Sequence, residues 1–378
     1  MSADALRRQL VAELVERGDL TPEWRPAFDQ VARHAFIPDT IWVHDPATPT
    51  GEPDMAAVRR ADDPDGWLRA AYADEAVVIQ VDDGHPAGPA LRGREVSSSA
   101  SQPAIVARML AALRAEPGMR VLEIGTGTGW NAALLAHHLG AGNVTSVEID
   151  PGLAEHARDR LTAAGYAGVT VISGDGVQGW PAGALYERLL ATVAAWQVPH
   201  AWVRQTRVGG EILLPTGTHW LEGGLLRLTV TGPGVARGHI IGSAGFMQLR
   251  EQRLPRWTVA EWFTGDGETT TTKLHPAYVT RPDAATAIGF RVPGCQRFFG
   301  SRSKILYLFD RGTRSWATVQ LADQPPYEVE QFGPRHLWDE VRAAYRWWKN
   351  AGKPDRGAWT ITVDQHGQHA ELEPAPVA

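Results

Sequence analysis

The sequence has a single cysteine, Cys295, among 378 residues. One thiol cannot form a disulfide within the chain, and no ligand spacing typical of a metal site surrounds it, so we expect neither a disulfide nor a bound metal. A lone cysteine fits a reducing compartment. The sequence also lacks a signal peptide and any apolar run long enough to span a bilayer, so we expect a cytoplasmic protein with no membrane partner.

The sequence also has no excess of positive charge. Its 37 Lys and Arg residues are outnumbered by 43 Asp and Glu residues, which gives a formal net charge of −6 at pH 7. Nucleic-acid partners normally require a basic surface, so we expect none and favour a small molecule or a peptide. The length and the 43% hydrophobic content indicate a globular chain of more than one domain, with the 15 tryptophans mainly in its core.

What the sequence does contain is a strand, a glycine turn and a helix in immediate succession, in VLEIGTGTGWNAALLA. Residues 121–124 predict a short buried strand, and the alanine- and leucine-rich residues 131–139 predict a helix. Between them, Gly125, Gly127 and Gly129 permit a tight turn and let a ligand approach the bare backbone at the N-terminus of the helix. The stretch therefore predicts a cofactor site on an α/β sheet.

The spacing of these glycines and the acids around them indicate which cofactor is bound. A dinucleotide site requires G-x-G-x-x-G, whereas this turn is G-x-G-x-G and follows Glu123. The next predicted strand, 143–149, places Glu148 where a carboxylate accepts hydrogen bonds from ribose hydroxyls. A third segment, VTVISGDG, brings Asp175 and Gly176 to the same edge. This order resembles the S-adenosylmethionine site of class I methyltransferases; a dehydrogenase and a cofactor-free α/β domain are the alternatives.

The chain as a whole predicts three segments. Residues 1–84 contain helices at 5–17 and after Thr21, and then the start of an irregular, lid-like stretch over 40–93 that is rich in Asp, Pro and Gly. Residues 85–252 form the cofactor domain, a Rossmann-like doubly wound sheet finished by an antiparallel hairpin. Its further elements are a helix over 103–114 and strands over 189–195, 210–217, 225–232 and 246–250.

Residues 253–378 predict an α+β C-terminal domain. The TTTT run at 269–272 predicts an exposed strand, and further short strands are expected around 304–309 and 316–321. A late helix carries apolar residues at helical spacing, which we interpret as a core-facing stripe rather than a peptide-binding strip. Its members are Leu337, Val341, Tyr345 and Trp348.

The segment VSSSASQPAIVARM, which contains Ser101-Gln102-Pro103, directly precedes the glycine-turn strand. It resembles protein-L-isoaspartate O-methyltransferases, in which a Ser-Gln-Pro or Ser-Ala-Pro turn precedes a helix before the glycine loop. Other segments are similar to that family in the same order: RHAFIPD, VLEIGTGTGW, VEID, GDGVQGWP and VPHAWVRQTRVGGEILLPTG. The resemblance covers residues 25–252. It implies an S-adenosylmethionine-dependent carboxyl O-methyltransferase that acts on an aspartyl or isoaspartyl side chain of a peptide or protein.

The resemblance also implies the site residues. Ser101 is the catalytic candidate, because its hydroxyl would hydrogen-bond the acceptor carboxylate or the cofactor at a helix N-terminus suited to an anion. The alternative is that Ser101 is only the N-cap of that helix. The expected cofactor-binding residues are Ser101, Gln102, Glu123, Gly125, Thr126, Gly127, Gly129, Glu148, Ile149, Gly174, Asp175 and Gly176.

The implied reaction needs alignment rather than proton transfer. A carboxylate is ionised at neutral pH and the sulfonium methyl is already activated, so no metal or strong base is required. Alignment alone is worth up to about 7–11 kcal/mol. We therefore interpret His34, His85 and His200 as structural residues, and Asp82 and Asp83 as part of a solvated acidic loop.

Three departures from the family pattern bear on the substrate. Ser97-Ser98-Ser99-Ala100 replaces a Thr-rich lead, AAWQVPHAW replaces a run of small residues, and minimal repair enzymes lack the C-terminal segment. These features favour a relative that installs an aspartimide or isoaspartate in a ribosomally made peptide, recognised through that segment. General repair of damaged proteins is the alternative. A small-molecule or nucleic-acid methyltransferase and a non-enzymatic peptide-binding module are disfavoured, and the oligomeric state stays open.

Overall fold

The structure is a computed structural model that describes residues 1–46, 48, 54–86, 92–221, 223–255, 259–263, 265–300 and 303–372. The chain forms two compact units. The first contains residues 1–193, 199–214 and 229–236, and the second contains residues 194–198, 215–228 and 237–378. These units are defined by packing, and the division into residues 1–84, 85–252 and 253–378 stays a prediction.

Two helices begin the chain, α1 (Ala3–Glu16) and α2 (Arg25–Gln30). In α1 the Ser2 hydroxyl caps the first turn by accepting from the Ala5 N–H. The second helix begins later than predicted, because residues 21–24 form a turn in which the Thr21 carbonyl accepts from two backbone N–H groups. Both helices contribute buried side chains to the core, among them Leu10, Leu14, Ala27 and Phe28.

The segment 40–93, predicted to be irregular, instead contributes most of a small antiparallel sheet. Its elements, with the strand that follows, are β1 (Thr40–His44), β2 (Met55–Arg59), α3 (Pro64–Tyr72), β3 (Val77–Val81), β4 (Arg92–Gly93) and β5 (Val96–Ala100), and the strand order is β4-β2-β1-β3-β5. The prediction is wrong here because strands of two to five residues between turn-rich segments leave little periodic signal. Residues 47, 49–53 and 87–91 of this stretch lie outside the described part of the chain.

The cofactor domain follows with alternating helices and strands. They are α4 (Pro103–Leu113), β6 (Val121–Ile124), α5 (Trp130–Leu139), β7 (Val144–Glu148), α6 (Pro151–Ala163), β8 (Thr170–Ser173), β9 (Tyr186–Ala191), α7 (His200–Gln205), β10 (Thr206–Thr216), β11 (Gly224–Gly232) and β12 (Val235–Ser243). The pairs β8–β7, β7–β6, β6–β9 and β9–β10 are parallel. Parallel pairs align the carboxyl ends of their strands, which is where α/β sheets bind ligands.

One strand of this domain differs from the prediction. The strand expected at 246–250 is reduced to an isolated bridge at Gln248, and the neighbour of β11 is instead β12. The sequence of β12, VARGHIIGS, buries only Ala236 and Ile240 and carries two glycines, so it lacks the alternation that indicates a strand. The hairpin is therefore present, but its second strand is β12 rather than residues 246–250.

The C-terminal elements are α8 (Val259–Trp262), β13 (Glu268–Thr272), α9 (Pro282–Arg291), β14 (Cys295–Gly300), β15 (Ile305–Asp310), β16 (Ser315–Gln320), β17 (Tyr327–Phe332), α10 (Leu337–Asn350), β18 (Trp359–Asp364) and β19 (Gly367–Leu372). Five of them form a sheet in the order β13-β17-β16-β15-β14. The TTTT strand is present, with Thr269, Thr270 and Thr271 exposed and Thr272 buried, and the core-facing stripe of α10 is confirmed.

A nine-stranded sheet has the order β19-β18-β12-β11-β10-β9-β6-β7-β8. The predicted doubly wound sheet with a terminal hairpin is confirmed, whereas β18 and β19 were not expected. Trp24, Trp67, Trp202, Trp220 and Trp338 are among the largest fully buried side chains, so much of the tryptophan content lies in the core, as predicted. Within the described residues, no helix combines the length and apolarity that crossing a membrane requires.

Candidate functional site

The glycine turn follows β6 as predicted, and the geometry requires glycine at Gly125. Gly125 has a φ of +96°, and a side chain there would approach the Thr192 hydroxyl to 2.7 Å. Thr192 follows β9 and donates to the Gly125 carbonyl at 2.5 Å. An added side chain at Gly127 would lie 3.7 Å from the Ser99 carbonyl oxygen and 3.8 Å from the Ser98 hydroxyl. The seryl residues of β5 therefore lie beside the bare backbone of the turn.

The acid at the end of β7 contacts this turn directly. One carboxylate oxygen of Glu148 accepts from the Gly127 N–H at 2.8 Å, and the other accepts from the Asp150 N–H at 3.1 Å. A carboxylate offers about four acceptor positions, so one that holds the turn can also accept from ribose hydroxyls. Asp150 is itself held by Gln80, whose side-chain amide donates to it at 2.8 Å. Glu148 is thus fixed in a position that suits its predicted role.

The other predicted rim residues surround Glu148. Ile149 exposes 37% of its surface, so it presents an apolar face of the kind that a planar base packs against. The Gly174 N–H donates to the Glu148 carbonyl, which places the end of β8 next to the end of β7. Asp175 is partly exposed and accepts from the Val177 N–H at 3.0 Å. At Gly176 an added side chain would meet Ile124 at 2.6 Å, so only glycine fits there.

Glu123 has a different role from the one predicted. It is completely buried and accepts hydrogen bonds from the Asn131 amide at 2.6 Å and from the Ser146 hydroxyl. Burial raises the pKa of Glu123 to about 7, although both hydrogen bonds oppose that rise. The Thr126 hydroxyl lies 2.6 Å from Ser146 and joins the same network. These side chains support the turn from inside, because a group without exposed surface cannot contact a ligand without rearrangement.

On the acceptor side, Arg33 is the central structural residue. Its guanidinium is buried and donates at 2.8–3.3 Å to the carbonyl oxygens of Ala71, Ala73, Glu75, Ala100 and Ser101. Burial lowers the pKa of Arg33 to about 10, and the nearby Asp74 opposes that effect, so the group stays charged at neutral pH. The guanidinium also lies 5.3 Å from the ring centroid of Trp130, the first residue of α5. Arg33 thus contacts both the Ser101 backbone and the helix that follows the glycine turn.

Asp74 holds the start of α4. Its carboxylate accepts from the Ala104 N–H at 2.8 Å and from the Gln102 side-chain amide at 3.2 Å. It also pairs with Arg17 at 2.7 Å. The N-terminus of α4 therefore already binds a carboxylate from this chain. The Ala104 N–H is therefore not free for an acceptor anion, and the predicted use of the rest of that N-terminus stays a prediction.

Ser101 is not the N-cap of α4, which was the alternative interpretation. The N-cap of α4 is Gln102, and the capping hydrogen bond comes from Asp74. Ser101 is partly exposed, and no other described residue hydrogen-bonds its hydroxyl. A hydroxyl next to an anchored backbone carbonyl, at the end of a strand that lies beside the cofactor turn, is available to a bound acceptor.

The three histidines that we interpret as structural residues lie at hydrogen-bonded or surface positions. His34 lies 2.6 Å from the Tyr72 hydroxyl, and burial, with a smaller contribution from Arg60, lowers its pKa. His200 contacts the Gly234 carbonyl at 2.8 Å. His85 is exposed. The contacts of His34 and His200 agree with a structural role, which stays a prediction.

The acidic pair before β5 is more ordered than a solvated loop. Asp82 accepts from the backbone N–H groups of Arg94 and Glu95, both at 3.0 Å. Asp83 donates its own N–H to the Ser97 hydroxyl at 3.1 Å, and both aspartates have positive φ values. The pair therefore shapes the loop that leads into β5.

Comparisons with known proteins identify the relatives of this chain. Residues 53–225 match the family described as Protein-L-isoaspartate(D-aspartate) O-methyltransferase. The protein-L-isoaspartate O-methyltransferase of Picosynechococcus sp. is 35% identical over 215 residues, which cover 57% of this chain and 78% of the relative. That of Methanothermobacter thermautotrophicus is 32% identical over 245 residues, or 64% and 94% respectively. A solved structure named protein-L-isoaspartate O-methyltransferase covers 97% of this chain and 100% of its own, with a TM-score of 0.56 at 19% identity, which shows the fold alone.

The parallel sheet, the glycine turn and the acid beside it define a class I methyltransferase that uses S-adenosylmethionine. Because both relatives exceed 30% identity and are covered over more than two thirds of their length, the chain belongs to the protein-L-isoaspartate O-methyltransferase family. It is therefore an O-methyltransferase, and the predicted family, fold class and cofactor are confirmed.

Three residues of the site were not predicted: Arg33, Asp74 and Thr192. Arg33 lies in the RHAFIPD segment, whose similarity to the family draws attention to it. That similarity does not indicate which backbone carbonyls the guanidinium contacts. Asp74 follows α3 without a motif, and its partners in α4 lie 28 and 30 residues away. Thr192 directly follows the parallel strand β9, but the strand predicted over 189–195 places it in mid-strand, so no signal in the sequence indicated its position at a strand end.

Proposed function

We propose that this protein methylates the carboxylate of isoaspartyl residues in proteins and peptides. The observation that carries the proposal is the position of Ser101: its hydroxyl has no partner among the described residues, its carbonyl is anchored by Arg33, and it directly follows the strand that lies beside Gly127. A serine in that place donates a hydrogen bond to an acceptor carboxylate without competition from the chain.

We propose that Glu148, Ile149 and the glycine turn hold the cofactor. Glu148 offers carboxylate oxygens to the ribose, Ile149 offers an apolar face, and the backbone of the glycine turn is open for close approach. S-adenosylmethionine supplies a methyl group on a positively charged sulfur, and its transfer to a carboxylate oxygen yields a methyl ester and S-adenosylhomocysteine. The site residues need only bind and align, because the acceptor is already ionised at neutral pH.

The ester explains how such a reaction changes a peptide. Methoxide leaves a carbonyl far more readily than oxide, so the next backbone nitrogen closes on the ester carbonyl and methanol is released. Ring closure is intramolecular and needs no second site. Hydrolysis of the resulting succinimide gives a mixture of aspartyl and isoaspartyl linkages. We propose that these steps follow each methylation.

The comparisons favour damaged proteins as substrates over a dedicated peptide. The curated relatives are named protein-L-isoaspartate O-methyltransferases, and a solved structure with that name aligns over 97% of this chain, C-terminal elements included. The C-terminal segment is thus not by itself a sign of peptide tailoring. Two other features still favour tailoring of a ribosomally made peptide: the Ser97-Ser98-Ser99-Ala100 lead and the segment AAWQVPHAW.

One experiment tests the proposal and separates the substrates. The protein is incubated with S-adenosylmethionine and, in parallel, with an isoaspartyl peptide, the matched aspartyl peptide and any precursor peptide encoded beside its gene, and intact mass is followed. We expect the isoaspartyl peptide to gain one methyl group and then lose methanol. Methylation of only the precursor peptide would establish tailoring instead, and no change in any arm would refute carboxyl methylation.

A further inference from the structure

Ser101, the residue proposed to hydrogen-bond the acceptor carboxylate, is held by two side chains of opposite charge that come from outside its own segment. Arg33 precedes Ser101 by 68 residues and Asp74 precedes Gln102 by 28, so neither contact is local. Together they connect the turn at residues 71–75 to the segment 100–104. We refer to Arg33 and Asp74 as the clamp.

Arg33 fixes the backbone on one side of Ser101. The carbonyls of Ala100 and Ser101 accept from the same guanidinium nitrogen, at 3.2 and 3.0 Å. That nitrogen and its neighbour also bind three carbonyls between residues 71 and 75. Because the guanidinium is planar and buried, its five contacts leave the strand end little freedom to shift.

Asp74 fixes the backbone on the other side of Ser101. Its two carboxylate oxygens bind separate groups, the Ala104 N–H and the Gln102 side-chain amide. Arg17 offsets the charge of Asp74 through a contact at 2.7 Å. Ser101 thus lies between Arg33, which binds the carbonyls of Ala100 and Ser101, and Asp74, which binds the Ala104 N–H.

The clamp also reaches the cofactor side. The Arg33 guanidinium lies over the ring of Trp130, whose side-chain N–H points to the Val31 carbonyl at 3.5 Å. Trp130 begins α5 directly after Gly129, the last glycine of the turn. The buried Arg33 side chain therefore contacts both the segment that contains Ser101 and the helix that follows the cofactor turn.

We propose that Arg33 and Asp74 are positioning residues for methyl transfer, acting through Ser101, an inference that rests on the proposed function. The acceptor oxygen has to meet the methyl carbon in line, and a displacement of about 1 Å costs on the order of 100-fold in rate. The clamp restricts such displacements. It leaves cofactor binding to Glu148 and the glycine turn.

The test uses Asp74→Ala with Asp19→Ala as its matched control. Asp19 also pairs with Arg17, at 3.0 Å, and both aspartate side chains are 14% exposed, but the other side-chain contact of Asp19 is with Arg108, in the middle of α4, rather than with residues 101–104. We expect Asp74→Ala to lower kcat/KM for an isoaspartyl peptide by about 10- to 100-fold, with the Kd for S-adenosylhomocysteine changed less than about threefold. Asp19→Ala is expected to change both quantities less than about threefold.

A second comparison shows whether the clamp acts through the serine. In the Ser101→Ala background the loss caused by Asp74→Ala is expected to shrink to less than about threefold, because residues that act as a unit are not additive. Arg33→Lys keeps the cation but offers fewer donors in another geometry, so we expect a loss of kcat/KM of the same order as for Asp74→Ala. If Arg33→Lys does not fold, the aspartate pair carries the test alone.

The outcomes separate the two proposals. Equal kinetics for Asp74→Ala and Asp19→Ala in an active enzyme would overturn the positioning role alone. The positioning role is likewise overturned if cofactor affinity falls as much as peptide turnover, or if the losses from Ser101→Ala and Asp74→Ala multiply. A wild-type enzyme that methylates no isoaspartyl or aspartyl peptide refutes the proposed function, and the positioning role falls with it.

Discussion

The buried carboxyl of Glu123 predicts how the stability of this protein depends on pH. Burial raises the pKa of Glu123 from an ordinary 4.5 to about 7 in the folded protein. Between these values the folded state binds more protons than the unfolded state, so the free energy of unfolding decreases as pH rises through this window. The contribution of Glu123 is fully present below pH 4.5 and is lost by about pH 7.

The magnitude follows from the same two values. A change of one pKa unit corresponds to about 1.4 kcal/mol, so the rise from 4.5 to about 7 is equivalent to about 3 kcal/mol. Glu123→Gln has nearly the same shape but does not titrate. The glutamine oxygen keeps the hydrogen bond from Asn131, and its amide donates to Ser146, whose hydroxyl then turns toward Thr126. We expect the stability of the variant relative to wild type to improve by about 3 kcal/mol between pH 4.5 and 8.

The measurement is urea unfolding followed by tryptophan fluorescence at several pH values from 5 to 8. The exposed Glu116 provides the control, because Glu116→Gln makes the same chemical change at the surface and is measured over the same pH range. A difference between Glu123→Gln and wild type that does not depend on pH would show that the carboxyl is not held in its neutral form. A difference that changes in the opposite direction would refute the burial argument itself.

Three further substitutions test the site. Gly125→Ala is expected to cost about 1–3 kcal/mol more than Gly118→Ala in urea unfolding, because both glycines have positive φ but only the first would meet Thr192; equal costs would refute the clash. Glu148→Ala is expected to weaken binding of S-adenosylhomocysteine in calorimetry by about 10- to 100-fold, as for a lost charged hydrogen bond, and unchanged affinity would contradict the ribose assignment. Ser101→Ala is expected to lower kcat/KM for the isoaspartyl peptide at least about tenfold with cofactor affinity kept; the reverse pattern would remove the acceptor role.

Much of the cofactor half was predictable from the sequence because its signals are local. The strand β6, the three glycines and α5 lie within 20 consecutive residues, and each is indicated by its own composition. The acids at 148 and 175 follow from the rule that parallel strands align their carboxyl ends. What composition cannot convey is burial: Glu123 has the same sequence signature as a ligand, yet it supports the turn from within.

The acceptor half was less predictable because its contacts join distant segments. The small sheet pairs β3 with β5 and β1 with β2 across turn-rich connections, and its strands are too short for their periodicity to show. A buried arginine has no sequence signature, because its partners are backbone carbonyls that every residue carries. Only the similarity of RHAFIPD to the family draws attention to Arg33, and the similarity does not reveal its partners.

The protonation states of the ionisable groups around the site bear on the chemistry. The acceptor carboxylate is ionised near neutral pH, and the pKa of Arg33 at about 10 keeps its guanidinium charged there, so neither group needs to change protonation during transfer. Glu123, whose pKa lies near neutrality, has no exposed surface and so does not reach a substrate. His34 is bound to Tyr72. Since none of these groups is placed to move a proton at the acceptor, the contribution of the protein lies in alignment, and loosening the Ser101 backbone is the change that should matter most.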